Sequence, residues 1–216
     1  MKNILVLLCL LIGLNAYGQT ESQENSNFEI DEAVKKKVEE KISEDNFDKQ
    51  LEGLFLFYEN PIIVDYYEND SLAISTKHEM KKMLFKSFFY TKNDTVTIDG
   101  AFGMFGGFGF SIKFIENKPV IYHMLAADDF PIYSMTKDGE LALRIEVPCT
   151  NTKLTLSELP KLKEEETIYG IVEFESGEYY RSSGMLDGKE IEERRKIRMN
   201  MKIYFKSKFL DIDKMK

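Results

Sequence analysis

Residues 197–206 read Ile-Arg-Met-Asn-Met-Lys-Ile-Tyr-Phe-Lys, an unbroken alternation that puts Ile197, Met199, Met201, Ile203 and Phe205 on one face. Successive side chains of a strand point to opposite sides, so this stretch predicts a strand with one face in a core and a wet, basic face carrying Arg198, Lys202 and Lys206. Working outward, Leu141, Leu143, Ile145 and Val147 alternate in the same way with Ala142, Arg144 and Glu146, and 169–180 is another long extended segment. Residues 54–58 and 62–67 read as strands flanking a turn at Glu59-Asn60-Pro61. Further turn signals at Asn117-Lys118-Pro119, Asp138-Gly139 and Asp187-Gly188 are each expected to join two strands.

Two segments carry helical spacing instead. Ser26-x-x-Glu29 has the capping-box pattern, and Ile30, Val34, Val38 and Ile42 recur every four residues, with Asp31/Lys35 and Glu32/Lys36 at the favourable acid-first spacing. Thr76-x-x-Glu79 opens a second predicted helix, whose Met80, Met83, Leu84, Ser87 and Phe88 form a stripe that should lie on a sheet. Many strands, two helices near the front and no βαβ rhythm predict a mostly β fold of the α+β class. The expected architecture is an antiparallel sandwich or a curved, barrel-like sheet with one or two packed helices. Neither a composition shift nor a Pro/Gly/Ser linker divides 28–216, which reads as a single domain.

The start of the chain reads as an address. Lys2 precedes an apolar run from Ile4 to Leu14, and Ala16-Tyr17-Gly18 supplies small residues ahead of Gln19, the layout of a secretory signal peptide spanning 1–18. The run is shorter than the roughly twenty residues a helix needs to cross a bilayer, so no transmembrane anchor is expected in the mature chain. These residues resemble the signal peptides common in Bacteroidota, which implies a periplasmic or secreted location. A polar leader follows at 19–27. Cleavage after Gly18 removes Cys9 and leaves Cys149 as the one cysteine, so no internal disulfide is expected and the core must hold the domain. Asp70-Ser71-Leu72 and Asp94-Thr95-Val96 resemble the short O-glycosylation sites of exported Bacteroidota proteins, which implies surface positions for Ser71 and Thr95.

Charge is unevenly spread. Residues 19–70 hold fifteen Asp/Glu against five Lys, while 189–216 hold ten Lys/Arg against five Asp/Glu. The net charge of -8 speaks against a nucleic-acid partner, because such proteins present a basic face on a basic domain. The oppositely charged ends are free to lie side by side.

The most unusual segment is 101–114, in which Phe-Gly recurs at 102–103, 105–106 and 108–109 before Phe108, Phe110, Ile112 and Phe114 settle into period two. Its glycines lead into a strand rather than a helix, and no phosphate-loop lysine follows, which excludes a phosphate cradle. Two readings remain open. In one, the glycines form bulges or make room for rings from a neighbouring strand. In the other, a flexible glycine-rich segment carrying Phe102, Met104 and Phe105 covers an apolar cavity and admits a small hydrophobic ligand, with Phe108 as a further binding residue.

Catalytic groups are sparse. His78 and His123 are the only histidines and neither has a second His or Cys at metal-ligand spacing, so no metal or other cofactor is expected. Cys149, His123 and Asp128 or Asp129 supply the residue types of a thiol triad, but a lone cysteine at the end of an apolar strand behaves mostly as a small hydrophobe. The expected function is therefore non-enzymatic: binding of an apolar small molecule or of another envelope protein. An inhibitor or immunity-type module using the acidic region, and an enzyme of unknown reaction, are the alternatives.

Overall fold

The computed structural model describes residues 27–42, 57–78, 81–103, 106–163, 166–186 and 189–215. The expected signal peptide and the leader up to residue 26 lie outside these residues. In chain order the described elements are β1 (Asn27–Ile30), helix α1 (Val34–Lys41), β2 (Phe57–Glu68), β3 (Ser71–Ser75), β4 (Lys81–Lys92), β5 (Thr95–Phe102), β6 (Gly107–Ile115) and β7 (Lys118–Ala126). They continue with β8 (Tyr133–Ser134), β9 (Arg144–Leu156), β10 (Thr167–Ser176), β11 (Tyr179–Arg181), β12 (Met185–Leu186), β13 (Lys189–Glu190) and β14 (Arg195–Phe209), followed by a 3-10 turn at Ile212–Met215.

Eight strands in the order β2-β4-β5-β6-β7-β9-β10-β14 close into an antiparallel barrel when β14 returns to pair with β2. The expected mostly β, barrel-like sheet is thus present, with a single α-helix packed on it. Three hairpins turn on adjacent residues with positive φ: Asn69-Asp70, Asn93-Asp94 and Glu116-Asn117. Two left-handed central residues are what a type I′ turn requires, and its twist matches that of the flanking strands. The two resemblances to glycosylation sites fall on the first two of these hairpins; Ser71 is exposed and Thr95 half-buried.

The barrel has a seam. The first half of β2 pairs with β4 and the second half with β14, the changeover coming next to Pro61, which has no N–H to donate. Below the changeover the inward side chains of β2 reach the β14 backbone. Tyr58 Oη accepts from Lys206 N at 2.9 Å, and Asn60 Nδ2 donates to the Tyr204 carbonyl. The hydroxyls of Ser87 and Ser207 meet across the gap, and beyond it β4 and β14 run in parallel at Phe88–Phe89 and Lys208–Phe209.

Aromatic rings fill the lumen. Phe85 packs against Phe102 with centroids 4.6 Å apart, and Phe110 against Phe205 at 4.9 Å. Glycines stand directly across from two of these rings, Gly100 opposite Phe110 and Gly170 opposite Phe205. A Cβ on Gly100 would lie 2.5 Å from Phe110 Cε1 and 2.6 Å from Phe85 Cζ, so the missing side chain is the space the rings occupy. Helix α1 buries Val34 and Val38 completely against β10 and β14, and β1 adds in parallel to the edge of β9.

Several expectations are corrected. Residues 81–92 form strand β4 and not a second helix. Apolar residues occupy both phases of this segment, so a helical stripe is also a subset of a two-sided strand. Phe85, Ser87 and Phe89 point inward while Phe88 and Tyr90 point outward, and the pairing with β2 and β5 decides the outcome. Thr76 does not cap a helix; its hydroxyl accepts from Val64 N at 2.7 Å and donates to the Ile62 carbonyl at 3.0 Å. The first helix starts later than its pattern, because Glu29 belongs to β1 and Asp31 Oδ1 accepts from Ala33 N. Its ion pairs are Lys35–Glu39, Lys36–Glu40 and Lys37–Asp31 rather than the expected Asp31/Lys35 and Glu32/Lys36. Glu59-Asn60-Pro61 is no turn but part of the first half of β2, and β9 begins at Arg144 rather than Leu141.

The expected alternation of β14 is present, with Ile197, Met199, Met201, Ile203 and Phe205 buried. Its outward cations meet acids on neighbouring strands, Lys202–Glu173 at 2.8 Å and Lys196–Asp70 at 2.6 Å. The last of these joins the acidic early part of the chain to its basic end.

Candidate functional site

The alternation of the Phe-Gly segment decides the shape of one side of the barrel. Phe110 is fully buried in the lumen, and Phe108 stacks on Phe102 at 5.3 Å near the rim. The residues between them then point outward. A Cβ on Gly109 would collide with the Gly100 carbonyl oxygen, so only glycine lets β5 and β6 approach this closely. Gly103 and Gly107 adopt φ of 102° and 147° at the ends of the β5–β6 connection, where side chains would be strained.

The outer face consequently dips between Ala101 on β5 and Met124 on β7, the two register partners of Gly109. The dip is a concavity of about 170 Å³. Phe88, Ala101 and Met124 supply apolar walls, Gly106 and Gly107 border its lower end, and Lys86 and Arg144 stand at the rim. Of the residues predicted to bind a ligand, Phe102 and Phe108 border it although their rings stack on one another on the lumen side; Met104 and Phe105 lie outside the described residues.

Asp99 gives this apolar hollow a polar end. It lies outward on β5 beside Ala101, and Tyr90 donates to its Oδ2 at 3.0 Å. Its Oδ1 is buried with no partner in hydrogen-bond geometry among the described residues. Burial pushes the carboxyl above its usual range, against the opposing pull of the Ser111 and Tyr90 hydroxyls. Burial and the Asp99 charge together hold the Tyr90 phenol well above its ordinary value. An acceptor atom at the end of an apolar hollow suits a ligand that brings a hydrogen-bond donor.

The residues of the weighed thiol triad are not assembled for catalysis. His123 is completely buried in the lumen, its Nδ1 2.9 Å from the Gly109 carbonyl, with Phe174 and Tyr179 around it. Nδ1 must carry the hydrogen, which leaves the Nε2 lone pair buried and unpartnered. Burial lowers its pKa to about 4. Cys149 is also fully buried, its thiol pushed up by desolvation, while Asp128 and Asp129 are exposed. A neutral thiol shut away from solvent, with no carboxylate at hand, is no nucleophile.

Asp99 was not marked by the sequence. In Thr97-Ile98-Asp99-Gly100 an Asp-Gly pair resembles a turn, and only its place in the outward phase of β5 sets it at the hollow. No protein-family model matches the chain, and neither a curated protein nor a solved structure matches it.

Proposed function

We propose that this protein is an exported, non-enzymatic binding domain that holds the apolar part of a small molecule in the outer-face concavity between β4, β5 and β7. The observation that carries this reading is the Asp99 carboxylate at the end of an apolar hollow, its buried Oδ1 without a partner in hydrogen-bond geometry among the described residues. The ligand donates a hydrogen bond to that oxygen from a hydroxyl or amide while its apolar portion lies on Phe88, Ala101 and Met124. Lys86 and Arg144 at the rim disfavour a cationic head. A volume of about 170 Å³ admits a small group rather than a whole drug-sized molecule. The signal-like residues at 1–18 support export.

Native mass spectrometry of the protein purified from its own cells, beside Ala101→Trp, tests the reading. An added small mass that disappears on denaturation, and is absent from the Trp variant, is the expected result. The bare mass alone from the unmutated protein, or an equal adduct on both proteins, refutes it.

A further inference from the structure

At the end of the barrel away from α1, the inward-facing rows of β11 and β14 change from apolar to basic. Tyr179 and Ile197 are buried register partners; two residues on, Arg181 and Arg195 stand directly across from one another on the same face. Like charges opposed across a strand pair repel, and each needs an anion. Arg195 has two, Glu68 at 3.5 Å and Glu192 at 3.3 Å. Arg181 has none: no carboxylate or other hydrogen-bond acceptor among the described residues meets its guanidinium.

A cavity of about 250 Å³ opens beside it, lined by Tyr66, Ile132, Arg181, Ser182, Ser183 and Arg195. Ser182 is fixed by its backbone N–H donating to the Ile132 carbonyl at 2.9 Å. Ser183 donates to Glu192 at 3.0 Å, so the acid that neutralises Arg195 is itself held to the cavity wall. Tyr66 likewise donates to Glu68 at 3.1 Å. The acids are committed to Arg195 and to these hydroxyls, while the five donors of Arg181 meet no acceptor among the described residues beside a hollow with an apolar wall at Ile132.

We propose that this cleft at the barrel mouth is a second ligand site, which takes an oxyanion carried on a small molecule, either a carboxylate or a phosphate, with Arg181 as its forked partner. A planar guanidinium binds either group through two parallel hydrogen bonds, and Tyr66 and Ile132 flank whatever the anion is attached to. The site is separate from the Asp99 concavity and does not depend on it.

Nitrogen-15 NMR of the purified protein, titrated with inorganic phosphate and with acetate against chloride at matched ionic strength, tests the assignment. The expected result is a saturable shift of the Arg181 side-chain signals with one or both probes, with Kd in the millimolar range. The probe that saturates identifies the class of anion. Arg181→Gln should weaken that binding at least tenfold, whereas Arg198→Gln, which removes a cation stacked on Tyr67 outside the cleft, should leave it unchanged. Failure of both probes to saturate, a response equal to that of chloride, or equal losses in the two variants would overturn the proposal.

Discussion

Replacing His123 by Leu should remove a pH dependence that the folded barrel owes to one buried ring. The Nδ1–H of His123 is engaged with the Gly109 carbonyl, so a second proton has to enter at Nε2, where no acceptor waits and the neighbours are Phe174 and Tyr179. Folding lowers the pKa from 6.5 to about 4. The unfolded chain therefore binds the proton more readily, and stability is lost as pH falls through this window. At about 1.4 kcal/mol per pH unit the full effect is about 3 kcal/mol, of which about 2 kcal/mol is lost between roughly pH 7 and pH 4.5. Urea unfolding of wild type and His123→Leu at both pH values measures it, because the carboxylates titrate alike in the two proteins and cancel in the difference. Loss of the Gly109 contact adds a constant offset of about 1–3 kcal/mol against the variant. That offset should shrink by about 2 kcal/mol at the acid pH as wild type weakens. Parallel pH profiles for the two proteins would refute the buried, neutral histidine.

Two further outcomes follow from the packed lumen. Gly100→Ala should destabilise by about 1–3 kcal/mol, since its methyl meets the edges of two fully buried rings, Phe110 and Phe85. A urea midpoint unchanged or raised would show that the rings have room to move, and the double variant with Phe110→Leu should recover part of the loss. Cys149 should react with thiol reagents only as the barrel unfolds, its labelling rate rising with urea in step with the loss of tertiary structure. Rapid labelling in buffer alone would place the thiol at the surface.

The legibility of this fold varied with how local its causes are. β14 was readable because its face is set by strict alternation over a long strand, and burial follows that alternation from Ile197 to Phe205. β4 was not, because apolar residues on both of its phases mimic a helical stripe, and only pairing with β2 and β5 separates the two. The closure at the seam was invisible for the same reason: Asn60 and Tyr58 meet β14 some 144 and 148 residues away. The Asn69-Asp70 and Asn93-Asp94 turns carry a local signal, since both residue types tolerate positive φ, and the glycosylation-like triplets begin at the second residue of each pair. For the candidate site, the glycines of 101–114 were legible as unusual. Their consequence was not, because a depression on the outer face depends on what β4 and β7 bring to it.

Strand geometry ties the packing of the Phe-Gly segment to the shape of the outer face. An eight-stranded barrel has a lumen that side chains just fill, or that holds one small ligand if they do not. Here Phe85, Phe102, Phe110 and Phe205 take the space, and Gly100 and Gly170 give up their side chains to admit them. The same period-two alternation that sends phenylalanine inward sends residues 101, 107 and 109 outward, and these are Ala, Gly and Gly. Filling the lumen with aromatic rings from this segment therefore strips the outer face of bulk at the same strands. In the lumen His123 ties β7 to β6 through Nδ1 while its Nε2 stays unpartnered among aromatic rings, and on the outer face Asp99 Oδ1 borders the hollow. The aromatic packing that fills the barrel and the hollow on its outer face are thus two consequences of one alternation.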